Sequence, residues 1–195
     1  MDEPPALAGV RAAQAALDAW LARLSPVDPG TPSALPGWTV GHVLTHVAAN
    51  ASSHVRMLAG QPQYPGGDEQ RNGDIDAGAA RPWGVLLADL HGAHAELDAA
   101  WEAVDDWEHV ADLPMRRWRE VEVHRVDLGL GYTFADLPGE YVRRDLAALT
   151  MRYRATRPIG LTQLPEAAAA APPHVRLAWL LGRHEIPGLP TADVL

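Results

Sequence analysis

Glu120 and His124 carry the clearest chemical signal in the sequence. At 100° per residue, two positions four apart lie about 40° from one another on a single helical face. Val121 and Leu128 flank that face on one side, Val123 and Leu130 on the other. A carboxylate set into an apolar arc costs on the order of several kcal/mol unless a cation or metal compensates it. A Glu and a His one turn apart form a natural two-ligand clip for a divalent ion. Glu122 points nearly opposite, towards Arg119 and Arg125, and reads as the solvated acid of the two. A preceding helix offers a third ligand. Thr39, His42, His46, Asn50, Ser53 and Met57 form a polar stripe along it. His42 stands in the first turn, where a capping role is expected, so His46 is the better ligand. Spacing alone is also satisfied by an exposed side-chain pair or a buried hydrogen bond, and those readings stand beside the metal.

The remaining histidines carry less. His91 and His94 share a helix, with His94 among apolar positions and His91 near their edge, while His109, His174 and His184 fall in or near loops. The seven Trp mostly occupy core stripes.

Helical periodicity supplies the elements that must position these groups. Leu7, Val10, Ala13, Leu17, Trp20, Leu21 and Leu24 mark a first helix, closed by Ser25-Pro26. A Pro-, Gly- and Ser-rich loop leads to Thr39, the N-cap of the second helix, which carries Val40, Val43, Leu44, Val47, Ala51, Val55 and Leu58. The segment Gly60 to Gly78 holds five Gly and two Pro. It reads as an irregular stretch too long for a simple connection, and so as functional or covering. Pro82 opens a third helix through Leu86, Leu90, Leu97 and Trp101. A fourth runs from near Pro114 to about Gly129, and a fifth from near Pro138 through Tyr153. Beyond Arg157-Pro158, Ile159–Thr162 suggests a short strand and Val175–Leu181 a short helix ended by Gly182. The expected fold is mainly α: an up-down four-helix bundle over residues 1–157, with a small C-terminal α+β extension over 158–195.

Composition narrows the chemistry. The chain has 195 residues, with 16 cations, all Arg, against 25 acids, a net charge of −9. An acidic chain with no basic run argues against nucleic acid and anionic membrane surfaces. No apolar run approaches the ~18–20 residues of a membrane span, and the acidic N-terminus lacks a signal-peptide pattern. A cytoplasmic monomer acting on a small molecule is the expectation. There is no Cys, so disulfides, thiolate metal sites and a protein-borne thiol nucleophile are excluded.

Leu35-Pro36-Gly37-Trp38-Thr39-Val40-Gly41-His42-Val43-Leu44-Thr45-His46-Val47-Ala48 resembles the second-helix signature of the mycothiol-dependent maleylpyruvate isomerase family, one of the DinB-like metal-binding bundles. Arg119-Glu120-Val121-Glu122-Val123-His124-Arg125-Val126-Asp127-Leu128-Gly129 is similar to that family's second metal motif. Tyr64-Pro65-Gly66-Gly67, with Gln70-Arg71 and Asp74-Ile75, resembles its inter-helix loop. Ala178-Trp179-Leu180-Leu181-Gly182-Arg183 resembles its C-terminal helix and following Arg. The resemblance implies that His46, Glu120 and His124 bind one divalent metal, usually zinc, leaving a position open. It also implies that Arg183 approaches from the C-terminal part. The C-terminal segment is shorter here than in fuller members of the family.

The family reaction converts maleylpyruvate to fumarylpyruvate. A thiolate adds to the activated cis double bond, the resulting single bond rotates, and elimination leaves the trans isomer. With no Cys in the chain, the thiol must be a small molecule, mycothiol by resemblance. Arg suits carboxylate clamping and stabilisation of a developing enolate: Arg183 is the first candidate and Arg71 the second. Asn50, one turn beyond His46, is a candidate for orienting ligand or substrate, or for bonding buried backbone. A mycothiol S-transferase and a non-catalytic metal-binding module are the alternative readings.

Overall fold

The computed structural model describes residues 3–158, 163–192 and 194. It divides into two compact units, Met1–Gly131 and Tyr132–Leu195.

The first unit contains the bundle. Its α1 (Ala6–Leu21) buries Leu7, Val10, Leu17 and Leu21, the stripe expected from periodicity. The following loop is clipped by an isolated antiparallel bridge between Pro32 and Thr39. Then α2 (Val40–Leu58) begins on Thr39 as N-cap and presents a continuous buried face including Val43, Leu44, Val47 and Ala51. Helix α3 (Gly67–Ala79) is followed by α4 (Trp83–Glu102), which buries Leu86, Leu90, Leu97 and Trp101. Each such leucine contributes about 1.5–3 kcal/mol through removal of apolar area from water. Pro114 sits in the first turn of α5 (Leu113–Asp127), where a missing N–H costs nothing. Packing of α2 on α4 and of α1 on α5, with α2–α5 and α1–α4 contacts between them, closes the four-helix core.

The segment expected to be irregular is corrected in part, since α3 occupies its second half. Only Ile75, Gly78 and Ala79 of α3 are buried, too few to give a periodic signal. Asp68 and Glu69 in its first turn favour the helix dipole, but docking on α2 holds it. A Cβ on Gly41 would collide with the Ala79 carbonyl oxygen, and one on Gly78 would lie 2.6 Å from Thr45 Cγ2. Glycine at both places lets the helices approach.

In the second unit, a 3₁₀ turn (Phe134–Asp136) precedes α6 (Gly139–Ala155), α7 (Glu166–Ala170) and α8 (Pro173–Leu180). Gly182, at φ 69°, ends the last helix in the left-handed conformation that glycine adopts freely. The units divide the chain earlier than the expected boundary after Arg157, because α6 packs on α8. The strand expected at Ile159–Thr162 lies outside the described residues. Among the described residues there is no strand, and no helix is long and apolar enough to cross a membrane.

Candidate metal centre

His46 enters from the second turn of α2, and Glu120 and His124 from successive turns of α5, where these two helices pack. One ligand atom from each of the three lies within 4.8 Å of the others. His46 Nε2 is 3.0 Å from Glu120 Oε2, and His124 Nε2 is 3.4 Å from the same oxygen. The two imidazole rings meet edge to face with centroids 4.6 Å apart. His46 is buried, whereas the Glu120 side chain retains 31% exposure, so the cluster opens to solvent beside the carboxylate.

Three groups crowded around one oxygen perturb each other. Burial pushes the Glu120 carboxyl up, but hydrogen bonds from His124 and His46 outweigh it and hold the group well below the usual carboxylate range. Burial pushes His46 down, opposed by its bond to Glu120. Burial also acts to lower His124, yet its bonds to Asp127 and Glu120 prevail and raise it. The result is an ionised carboxylate between two imidazoles. That donor set, two nitrogens and one oxygen from three side chains, fits a divalent ion with room for an exogenous ligand.

The surroundings fix the ligand rings. His124 Nδ1 faces Asp127 Oδ2 at 2.9 Å, a carboxylate behind a histidine of the kind that orients metal-ligating rings. Asp127 had a legible signal, since it follows His124 by three residues and so shares its face. Trp38 stands edge-on to His46, with ring centroids 5.5 Å apart, a contact that the sequence pattern did not reveal. His42 caps α2 as expected: its Nδ1 accepts the Thr39 N–H at 3.2 Å, and its Nε2 faces Asp76.

The other expected site residues separate. Arg71, on α3, comes to the centre and places Nη2 3.1 Å from His46 Nδ1, with its guanidinium over the Tyr64 ring. Asn50 is buried and its side-chain oxygen accepts from Arg117 Nη1 at 2.8 Å. Arg117, one turn before Glu120, is fully buried and also bonds Gln14 Oε1 and the Val47 carbonyl. Burial with only neutral hydrogen-bond acceptors pushes its guanidinium down to about 10, although the Glu120 charge acts against the shift. Asn50 thus belongs to a buried network behind the His46–Glu120–His124 cluster. Arg183 lies in the second unit, exposed, with Nη1 3.3 Å from the Leu181 carbonyl.

One sequence expectation is overturned. Glu122 is not solvated; it is 1% exposed. The reason is that α5 packs on α1 as well as α2, and Arg125 lies over the Trp20 ring of α1, so the face opposite the cluster is covered too. His91 and His94 both bond Asp18, at 3.0 and 2.9 Å, and tie α4 to α1.

Residues 10–129 match the family model described as the mycothiol maleylpyruvate isomerase N-terminal domain. A crystal structure of a mycothiol-dependent maleylpyruvate isomerase is similar, with a TM-score of 0.78 at 26% identity over 91% of this chain and 88% of that one. A crystal structure of a mutant mycothiol-dependent maleylpyruvate isomerase gives a TM-score of 0.70 at 27% identity, over 77% of this chain and 70% of that one. No curated protein matches the chain significantly in sequence.

Proposed function

The chain belongs to the mycothiol maleylpyruvate isomerase N-terminal domain family, and from that membership we propose that it is a metal- and thiol-dependent cis–trans isomerase converting maleylpyruvate to fumarylpyruvate. The observation that carries the reading is the meeting of His46, Glu120 and His124 in a chain without Cys. A nucleophilic thiol must then come from outside, and mycothiol is the proposed one. Zinc is the proposed metal, because mixed imidazole and carboxylate ligands suit it.

His46, Glu120 and His124 would hold the ion. Bound there, it would supply the charge that keeps an added thiol deprotonated near neutral pH, the state needed for reversible addition across the double bond. Asp127 orients His124 through Nδ1. Arg71 lies close enough to the cluster to clamp a substrate carboxylate, and a planar guanidinium does so with two parallel hydrogen bonds. Asn50 acts by holding Arg117 beneath α5 rather than by meeting substrate. Arg183 enters the proposal as a second carboxylate-binding residue on the strength of its sequence motif alone.

The test is turnover by the full chain loaded with zinc and given mycothiol and maleylpyruvate, with product resolved by NMR. Fumarylpyruvate formed only when both thiol and metal are present is the expected result. A stable thiol adduct in place of the isomer would move the assignment to S-transfer. Full turnover without thiol would refute the mechanism.

A further inference from the structure

The hydrogen bond between Arg71 and His46 has a consequence for metal loading. A neutral imidazole has one N–H and one lone pair. An arginine donates and cannot accept, so the Arg71 Nη2–H at 3.1 Å uses the lone pair of His46 Nδ1. The His46 proton is then on Nε2, directed at Glu120 Oε2 3.0 Å away. Nε2 is the nitrogen that faces Glu120 Oε2, the oxygen that also lies 3.4 Å from His124 Nε2, and so the nitrogen that an ion shared by the three would use. Ligation through Nε2 needs its lone pair and moves the proton to Nδ1. There it would confront the Arg71 N–H, donor against donor. His46 stays neutral throughout; only the position of its proton changes.

Arg71 has little else to keep it in place. Its Nη1 donates to Asn72 Oδ1 at 2.9 Å in an exposed contact, and its guanidinium carbon lies 5.6 Å from the centre of the Tyr64 ring. Among the described residues no carboxylate pairs with it. A cation beside a divalent ion is also repelled by it.

We propose that Arg71 and the metal compete for His46, so that loading the site breaks the Arg71–His46 hydrogen bond and frees the guanidinium to receive a carboxylate of the substrate. The inference rests on the metal reading above. It makes Arg71 a metal-gated substrate-binding residue, held on His46 while no ion is bound and released for anion binding once one is.

The experiment is zinc affinity of the full chain, measured by competition with a chromophoric chelator, for wild type and Arg71→Met. Loss of a charge-assisted hydrogen bond that opposes loading should tighten zinc binding by roughly tenfold. Equal or weaker binding by Arg71→Met overturns the proposal while leaving the metal reading intact, because Arg71 would then support His46 instead of competing for it. Absence of zinc binding by the wild type overturns both. A second measurement needs no variant: phenylglyoxal modification of Arg71 in wild type, read by peptide mass spectrometry. Reactivity several-fold higher with zinc than without is the expected result, and equal or lower reactivity overturns the proposal.

Discussion

Replacing Glu120 and Glu122 one at a time by Gln separates the proposed metal site from the fold. The two carboxylates are two residues apart in the repeating string Arg119-Glu120-Val121-Glu122-Val123. Composition cannot distinguish them, but their surroundings do. Glu120 Oε2 lies within 3.0 and 3.4 Å of two imidazole nitrogens, and its side chain is 31% exposed. Glu122 is 1% exposed. Glu120→Gln keeps the volume and loses the charge that balances a dication. Changes to groups behind a ligand already cost 10–100-fold in metal affinity, so loss of a ligand should cost at least about 100-fold. Glu122→Gln touches no ligand, and zinc affinity should stay within about threefold of wild type. Its cost falls on stability instead. A buried carboxylate relies on charge-assisted partners, and weakening them costs about 1–3 kcal/mol, or roughly 3–10 °C in Tm for a chain of this size. Chelator competition gives the affinities, and thermal circular dichroism gives the stabilities. If Glu122→Gln loses zinc while Glu120→Gln keeps it, the assignment of the helical face is wrong. A Glu122→Gln chain as stable as wild type would refute the account of its burial.

Other outcomes follow from the same packing. Arg117→Met should lower stability by about 3 kcal/mol in urea titrations, because Gln14, Val47 and Asn50 lose a buried donor; an unchanged midpoint would contradict this. Burial pushes the His54 imidazole down to about 4, against its hydrogen bond with the Asn50 carbonyl. The unfolded chain therefore binds more protons than the folded one between about pH 6.5 and 4, and stability should fall by about 3 kcal/mol as pH drops through that window. Urea midpoints at pH 7 and 5 test the direction, and His54→Phe should flatten the slope. Gly41→Ala should cost about 1–3 kcal/mol through collision with the Ala79 carbonyl, detectable as a lowered Tm.

The meeting of His46, Glu120 and His124 and the four core helices were legible because both follow from periods of a helix. The 100° rotation and the polar stripe of α2 put His46, Glu120 and His124 on facing stripes, and the family resemblance singled them out as one set. The rotation failed for Glu122 because it describes one helix at a time. Whether the far face of α5 meets water depends on α1, whose Trp20 takes Arg125. Helix α3 was illegible for a related reason. It is held by docking on α2, at a closeness that Gly41 and Gly78 permit, and not by any apolar repeat of its own. Arg71 showed only as a cation in a Gly-rich segment; its hydrogen bond to His46 exists because α3 docks on α2. Asn50 was ambiguous in the sequence, since a buried amide one turn from a ligand can face substrate or protein, and here its oxygen meets Arg117.

The most direct measurement is mycothiol binding, by titration calorimetry, to the zinc-loaded chain, to the metal-free chain and to Glu120→Gln. The thiol should bind the zinc-loaded chain with release of its sulfur proton, and bind neither of the other two. Equal binding to all three would contradict this, because the thiol would then be held without the centre that His46, Glu120 and His124 are proposed to form.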